Sequence, residues 1–356
     1  MKIHNYSAGP CILPKSVMEK AAESVVDYSN TGLSILEMSH RSKEFVDVMD
    51  RSVALVKDLL DVPNDYEVLF LQGGASMQFY MSAINLLPLN GTAAYINTGT
   101  WSSKAIKEAK LLGSVNEIAS SKDKNFSYIP KDFVVPEDVS YLHYTTNNTI
   151  FGTQFKYIPG KDVRLVCDMS SDIMSKTIDV SKYDLIYAGA QKNIGPAGAT
   201  LVIVKKDVLG KTGRVIPSMM DYQLQIEKES MFNTPPCFSI YTAMLTMEWL
   251  KDLGGVAEIE KRNKAKAELI YKEIDNNSLF KGTAAFDDRS IMNPTFVMCN
   301  ESLNSDFLQV SVDAGISGIK GHRSVGGFRA SMYNALELES VQVLVDVMHE
   351  FERTRG

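Results

Sequence analysis

Leu185-Ile186-Tyr187-Ala188-Gly189-Ala190-Gln191-Lys192-Asn193-Ile194-Gly195-Pro196-Ala197-Gly198 reads as a short apolar strand that runs into a lysine and then into a turn rich in glycine and proline. Upstream, Val163-Arg164-Leu165-Val166-Cys167 is a second β-rich run, closed by Asp168. Val68-Leu69-Phe70-Leu71, Ala93-Ala94-Tyr95-Ile96 and Leu201-Val202-Ile203-Val204 are three more. From about residue 16 to about residue 250 such runs alternate with helical patterns, the signature of a mostly parallel sheet covered by helices on both faces. The helix expected after Gly73-Gly74 places Met77, Tyr80, Ile84 and Leu87 at spacings of three and four, which predicts one apolar face ending before Pro88. The fold class is therefore α/β.

Leu253-Gly254-Gly255-Val256 punctuates this pattern. Beyond it, a charged helix through Asp275 has Ile259, Leu269, Ile270 and Ile274 as expected buried positions. A strand Thr295-Phe296-Val297-Met298, a turn-rich loop around Gly315-Ile316-Ser317-Gly318, a short strand near Phe328-Arg329-Ala330 and a last amphipathic helix carrying Val341, Leu344, Val345, Met348 and Phe351 follow. Residues 16–254 are expected to form a large α/β domain, and residues 1–15 with 255–356 a smaller α+β domain, leaving a cleft between them where ligand sites tend to lie.

The 356 residues are 45% hydrophobic and 22% charged, enough for a large core and a second, smaller one. A net charge of -6 offers no basic field for a nucleic-acid backbone, so an anionic ligand must be held by local arginines and helix ends. Cys11, Cys167, Cys237 and Cys299 lie far apart with no CxxC pair, and the five histidines show no ligand spacing. Neither disulfides nor a metal is expected. The opening Met1-Lys2-Ile3-His4-Asn5-Tyr6-Ser7 lacks the apolar stretch of a secretory signal, and no segment has the length of a membrane span, so the expected location is the cytoplasm.

A lysine after a strand is ordinarily a solvated charge. Here Lys192 follows a buried strand and Asp168 ends another strand of the same sheet, so both fall at carboxyl ends, where open α/β sheets bind ligands. Chemistry based on pyridoxal 5′-phosphate (PLP) needs this pair: an amine to form a Schiff base, and a carboxylate to hold the pyridine nitrogen protonated so that the ring draws electrons. Alone, Asp168 would read as a turn or helix cap. In Gln72-Gly73-Gly74-Ala75-Ser76-Met77, free N–H groups at a helix start could hold a phosphate, with the Ser76 hydroxyl added, although tight turns of this composition are common. Trp101, after Asn97-Thr98-Gly99-Thr100, could lie against a flat ring or simply be core.

Five blocks in order then carry a resemblance that covers nearly the whole chain. They are Asn5-Tyr6-Ser7-Ala8-Gly9-Pro10, Met38-Ser39-His40-Arg41-Ser42-Lys43-Glu44-Phe45, the Gly189 to Gly198 turn, Ser230-Met231-Phe232-Asn233-Thr234-Pro235-Pro236, and Lys320-Gly321-His322-Arg323-Ser324-Val325-Gly326-Gly327-Phe328-Arg329-Ala330-Ser331. They resemble the signature blocks of the phosphoserine aminotransferase family. The resemblance implies a fold-type I PLP-dependent transferase, a homodimer with shared active sites, which converts L-glutamate and 3-phosphohydroxypyruvate into 2-oxoglutarate and O-phospho-L-serine.

It further implies Lys192 as the Schiff-base lysine and proton shuttle, Asp168 as partner of the ring nitrogen, and Trp101 as the stacking aromatic. Ala75 and Ser76 would cradle the cofactor phosphate, Thr149 and Gln191 would hydrogen-bond the cofactor, and Asn233-Thr234 would reach the phosphate of the neighbouring subunit's PLP. His40 and Arg41, with His322 and Arg323 from the other chain, would take the distal phosphate or carboxylate of the substrate, and Arg329 its α-carboxylate. Arginine's fork suits both anions. One departure is Ser76, where some relatives carry arginine. For either His-Arg dipeptide alone, a surface turn would be the plainer reading.

Three other readings compete. An alanine–glyoxylate-type aminotransferase would share Lys192 and Asp168 but need no second cationic pair, so His322-Arg323 speaks against it. A nucleotide-binding dehydrogenase should show GxGxxG after its first strand, which is missing. A non-catalytic binding protein on the same fold would have no use for the lysine, the acid and the arginines together. Cysteine desulfurases need a nucleophilic thiol on a mobile loop; Cys299 ends an expected strand and reads as buried, and neither it nor Cys237 is assigned to chemistry.

Overall fold

The structure is a computed structural model that describes residues 2–160 and 162–356; Met1, the first residue of the amino-terminal stretch, and Lys161 lie outside the described residues. Its centre is a seven-stranded sheet built from Tyr66–Leu71 (β1), Thr92–Asn97 (β2), Ser114–Ser120 (β3), Leu142–Thr145 (β4), Leu165–Asp168 (β5), Leu185–Gly189 (β6) and Thr200–Lys205 (β7). The spatial order is β1-β7-β6-β5-β4-β2-β3. Strand β7 runs antiparallel to both β1 and β6, and the other pairs are parallel.

Most of these strands are buried along nearly their whole length because both faces are covered. Side-chain alternation sorts them: Val68, Phe70, Cys167 and Ile186 enter a core on one face, while Leu69, Leu71, Val166 and Tyr187 enter a core on the other. The parallel arrangement puts the ends of β1, β2, β4, β5 and β6 along one rim. Thr145 pairs with Asp168 and Asp168 with Tyr187 in adjacent register, so the loops that leave these strands converge.

A third core lies in the carboxyl-terminal region and takes in Tyr6 from the amino-terminal segment. His4–Asn5 pairs in parallel with Ile316–Ser317, which ties the chain's beginning to that region. Phe280–Gly282, Thr295–Met298 and Phe328–Arg329 form a small antiparallel sheet. Phe307 packs edge-on against Phe280, Phe328 and Phe351, with ring centroids 4.9 to 5.3 Å apart. Such pairs add to the stabilisation from burial alone.

The helix Gly255–Asn276 joins the cores, its early residues Val256 and Ile259 packing with the large sheet and Ala267, Ile270 and Ile274 with the carboxyl-terminal core. Leu269, expected to be buried, is only partly so. This helix also buries Lys266, whose Nζ donates to the carbonyls of Met332 (3.1 Å), Tyr333 (2.9 Å) and Leu336 (3.0 Å). Burial pushes its pKa down to about 7.

Two sequence expectations need correction. The helix Gly74–Leu86 forms, but its buried side is Gln78, Phe79 and Met81 to Leu86, with Met77 exposed. Spacing alone chose Met77 because it could not register that Gln78 and Asn85 would be buried through bonds to Tyr222, Met81 and Met220. Cys299 is exposed, since it follows the last residue of its strand, and it lies apart from the cavity described next.

Candidate active site

The loops at the rim enclose a cavity of about 750 Å³. Its floor and walls include Gly73 to Ser76 after β1, Thr100 and Trp101 after β2, Thr145 at the end of β4 with Asn147 and Thr149 beyond it, Asp168 at the end of β5 with Ser170 beyond it, and Gln191 and Lys192 after β6. Ala8 and Gly9 come from the amino terminus, and His322, Arg323 and Arg329 from the carboxyl-terminal region.

Lys192 is held by its turn. Its N–H and that of Gly195 both donate to the Ala190 carbonyl, at 2.7 and 2.8 Å, which folds the chain back immediately after β6. Its Nζ donates to Thr149 Oγ1 at 3.0 Å. Desolvation pulls the lysine pKa down to about 8; Asp168 opposes that shift and Arg329 adds to it. Asp168 is buried, and its Oδ1 accepts from the Ser170 N–H at 2.9 Å. Burial pushes its pKa up, while Ser170 and Lys192 act in the opposite direction.

At the start of the helix Gly74–Leu86, Gly73 and Gly74 both take left-handed conformations, with φ of 87° and 65°. A Cβ on Gly73 would stand 2.5 Å from that of Met77, so this turn requires glycine. The first-turn N–H groups of Ala75 and Ser76 are left for a ligand at the positive end of the helix dipole. Trp101 is held on the helix Thr100–Ala109, whose start is fixed by Ser102 Oγ accepting from the N–H groups of Thr98 and Gly99, both at 3.0 Å. Trp101 Nε1 and Arg329 Nε are buried without hydrogen-bond partners. Arg329 Nη1 is 3.4 Å from the Thr149 carbonyl.

The cavity unites Lys192, Asp168, Ala75, Ser76, Trp101, Thr149, Gln191, His322, Arg323 and Arg329, all expected from the sequence. Four expected residues lie elsewhere. Asn233 lines a neighbouring cavity, and the Thr234 carbonyl accepts from Gln72 Nε2 at 2.6 Å. His40 and Arg41 precede the helix Lys43–Leu60, and Arg41 is exposed. In the single chain, His322 and Arg323, which the resemblance gave to the partner, line the same cavity as Lys192. The reason is local, since the bridge between Lys320 and Phe328 folds their loop back beside Arg329.

Residues not foreseen at the cavity include Lys104, Ala8, Asn147 and Ser170. For Lys104 a signal existed, because it stands three positions after Trp101 in a helical pattern. The others come from loops whose shape no periodicity encodes. Among the described residues no cluster of three metal-ligating side chains occurs, and no helix is long and apolar enough to cross a membrane.

A cavity at the carboxyl ends of parallel strands, with a lysine of lowered pKa, a buried acid and a helix-start phosphate cradle, fits PLP. Two unpartnered donors, on Trp101 and Arg329, add places for a bound anion or ring substituent. Comparison with known proteins agrees: the aminotransferase class-V family matches residues 3–344. The chain belongs to that family of PLP-dependent aminotransferases.

Within it the chain groups with the phosphoserine aminotransferases. It is 60% identical to the phosphoserine aminotransferase of Flavobacterium psychrophilum over 353 residues, 99% of each chain, and 59% identical to that of Porphyromonas gingivalis over 359 residues, again 99% of each. The solved phosphoserine aminotransferase from Bacillus circulans subsp. alkalophilus superposes with a TM-score of 0.97 at 44% identity, covering 100% of this chain and 99% of the other. The PLP-bound phosphoserine aminotransferase from Trichomonas vaginalis gives 0.93 at 35%, covering 98% and 100%.

Proposed function

We propose that this protein is a phosphoserine aminotransferase of serine biosynthesis, which moves an amino group from L-glutamate to 3-phosphohydroxypyruvate with PLP as cofactor. One observation carries the reading: Lys192 and Asp168 share a cavity with His322, Arg323 and Arg329, none of which forms an ion pair among the described residues. A site for alanine and glyoxylate would need no such surplus of positive charge. Residues 16–254 serve as the cofactor domain, and residues 1–15 with 255–356 as the domain that carries Arg329. The cytoplasm is the location proposed.

When bound, PLP supplies an aldehyde that links covalently to an amine and a ring that accepts electrons from the adjoining carbon. Lys192 provides the amine that holds it. With a pKa near 8 a useful fraction is neutral around physiological pH, so the released Nζ can take a proton from the substrate Cα and deliver it again nearby. Asp168, anchored by the Ser170 N–H, would hold a proton on the ring nitrogen. Ala75 and Ser76 would donate to the cofactor phosphate, Trp101 would face its ring, and Thr149 and Gln191 would hydrogen-bond it. Arg329 holds the α-carboxylate, which directs Cα toward Lys192.

His322 and Arg323 read the distal anion. His40 and Arg41, which the family resemblance also gives to that anion, lie outside their own chain's cavity and therefore serve the site of a second chain in a homodimer, as do Asn233 and Thr234. The test is a glutamate half-reaction on purified yellow enzyme, followed by a panel of keto acids. Preference for 3-phosphohydroxypyruvate over hydroxypyruvate, pyruvate and glyoxylate is expected. Equal use of glyoxylate would overturn the substrate assignment.

A further inference from the structure

The helix Thr100–Ala109 brings one more cation to the cavity. Lys104 stands three positions beyond Trp101, so both side chains project from one side of the helix, and both line the cavity. Lys104 Nζ lies 4.5 Å from the centroid of the Trp101 ring, within the range of a cation–π contact. The lysine is exposed and has no carboxylate partner among the described residues. It is close enough to His322 to join burial, Arg329 and Arg323 in lowering that histidine's pKa. Lys104, His322, Arg323 and Arg329 thus face a space in which Asp168 is the one carboxylate among the described lining residues.

Under the function proposed above, on which this inference rests, one distal site must accept two different anions in turn. Glutamate presents a carboxylate with a single charge. A phosphate monoester carries about -1.5 to -2 charges near neutral pH. Arginine forks have fixed geometry and charge and cannot adjust to that difference, whereas a lysine on a four-carbon stem is a movable point charge. An indole face is a place where such a charge can rest at little cost while remaining free to leave.

We propose that Lys104 is a specificity-determining residue that leaves the Trp101 indole to meet the phosphate of the keto-acid substrate and stays on the indole when the distal group is a carboxylate. The consequence is selective: Lys104 favours the phosphorylated substrate without tightening glutamate to the same degree.

The test separates the half-reactions of the holoenzyme and compares wild type with Lys104→Met and Lys104→Arg. In Lys104→Met, kcat/KM for 3-phosphohydroxypyruvate should fall about tenfold, mostly through KM, as expected for loss of a charge-assisted contact. The values for glutamate and for hydroxypyruvate should fall less than about twofold. Lys104→Arg, which keeps the charge and the indole contact but not the compact movable ammonium, should recover only part of the loss. Equal losses for all three substrates would overturn the proposal in favour of a lysine that merely props Trp101, and no loss for any would remove Lys104 from the site. Failure of the underlying function is distinguishable, because it would be seen in the unmutated enzyme as indifference to the substrate phosphate.

Discussion

Asp168 and Arg323 line the same cavity, yet they are held in opposite ways. Asp168 is the last residue of a central strand, buried, and bonded to the next turn of its own chain. Arg323 sits exposed in a loop six residues before Arg329, in a turn closed by the Val325 and Gly326 N–H groups donating to the His322 carbonyl, each at 2.9 Å. The cofactor end is fixed by the sheet, and its groups gain their chemistry from desolvation. The anion end is a set of loop cations in water, suited to ligands that come and go. Rigidity is placed where the atoms that react must align, and adjustability where two substrates must be recognised in turn.

This contrast can be broken by mutation, and the largest effect belongs to the buried end. Lys192→Ala should bind PLP through its phosphate contacts, show no visible band from covalent attachment, and lose turnover by at least about a thousandfold, since attachment and proton movement both go. Normal transamination by this variant would end the assignment. Asp168→Asn should fold normally and lose about a hundredfold or more in kcat, because an amide cannot stabilise a positive charge on the ring nitrogen. Wild-type turnover there would place the ring partner elsewhere.

At the exposed end the effect should be smaller and substrate-dependent. Arg323→Gln should weaken 3-phosphohydroxypyruvate about ten- to a hundredfold relative to hydroxypyruvate, the worth of one charge-assisted bond. Equal losses would mean that Arg323 supports structure and does not read the phosphate. The depressed lysine pKa gives a pH test of the buried end. In the cofactor-free chain the neutral amine, which must capture PLP, increases as pH rises through about 8. The capture rate should therefore rise about tenfold between about pH 7 and about pH 9 and then level off, whereas an unshifted lysine would give about a hundredfold rise with no plateau.

The smallest predicted signal concerns which chain supplies which cation. Mixing Lys192→Ala with Arg41→Ala should restore about a quarter of wild-type activity, because mixed dimers would hold one site with neither lesion. Mixing Lys192→Ala with Arg323→Ala should stay at the level of the parents, as both residues line one chain's cavity. The reverse pattern would show that the loop around His322 crosses to the partner in solution.

The sequence by itself determined the sheet and the reacting groups. Uninterrupted apolar runs can be satisfied only by strands covered on both faces, and a strand that ends in Asp168 or runs into Lys192 presents its last residues at a predictable edge. The glycines before Ala75 were legible for the same local reason, since Gly73 takes a conformation that a side chain would obstruct. Tertiary structure alone decided which face of the helix Gly74–Leu86 is buried, because Gln78 and Asn85 find partners in Tyr222 and Met220, far along the chain. It decided that Lys266 is buried, since its three carbonyl acceptors lie more than sixty residues away. It also decided that His322 and Arg323 share a cavity with Lys192 while His40 and Arg41 do not. Periodicity and turn chemistry act between near neighbours, whereas a charge on a loop acquires its role from whichever strand end the fold brings beside it.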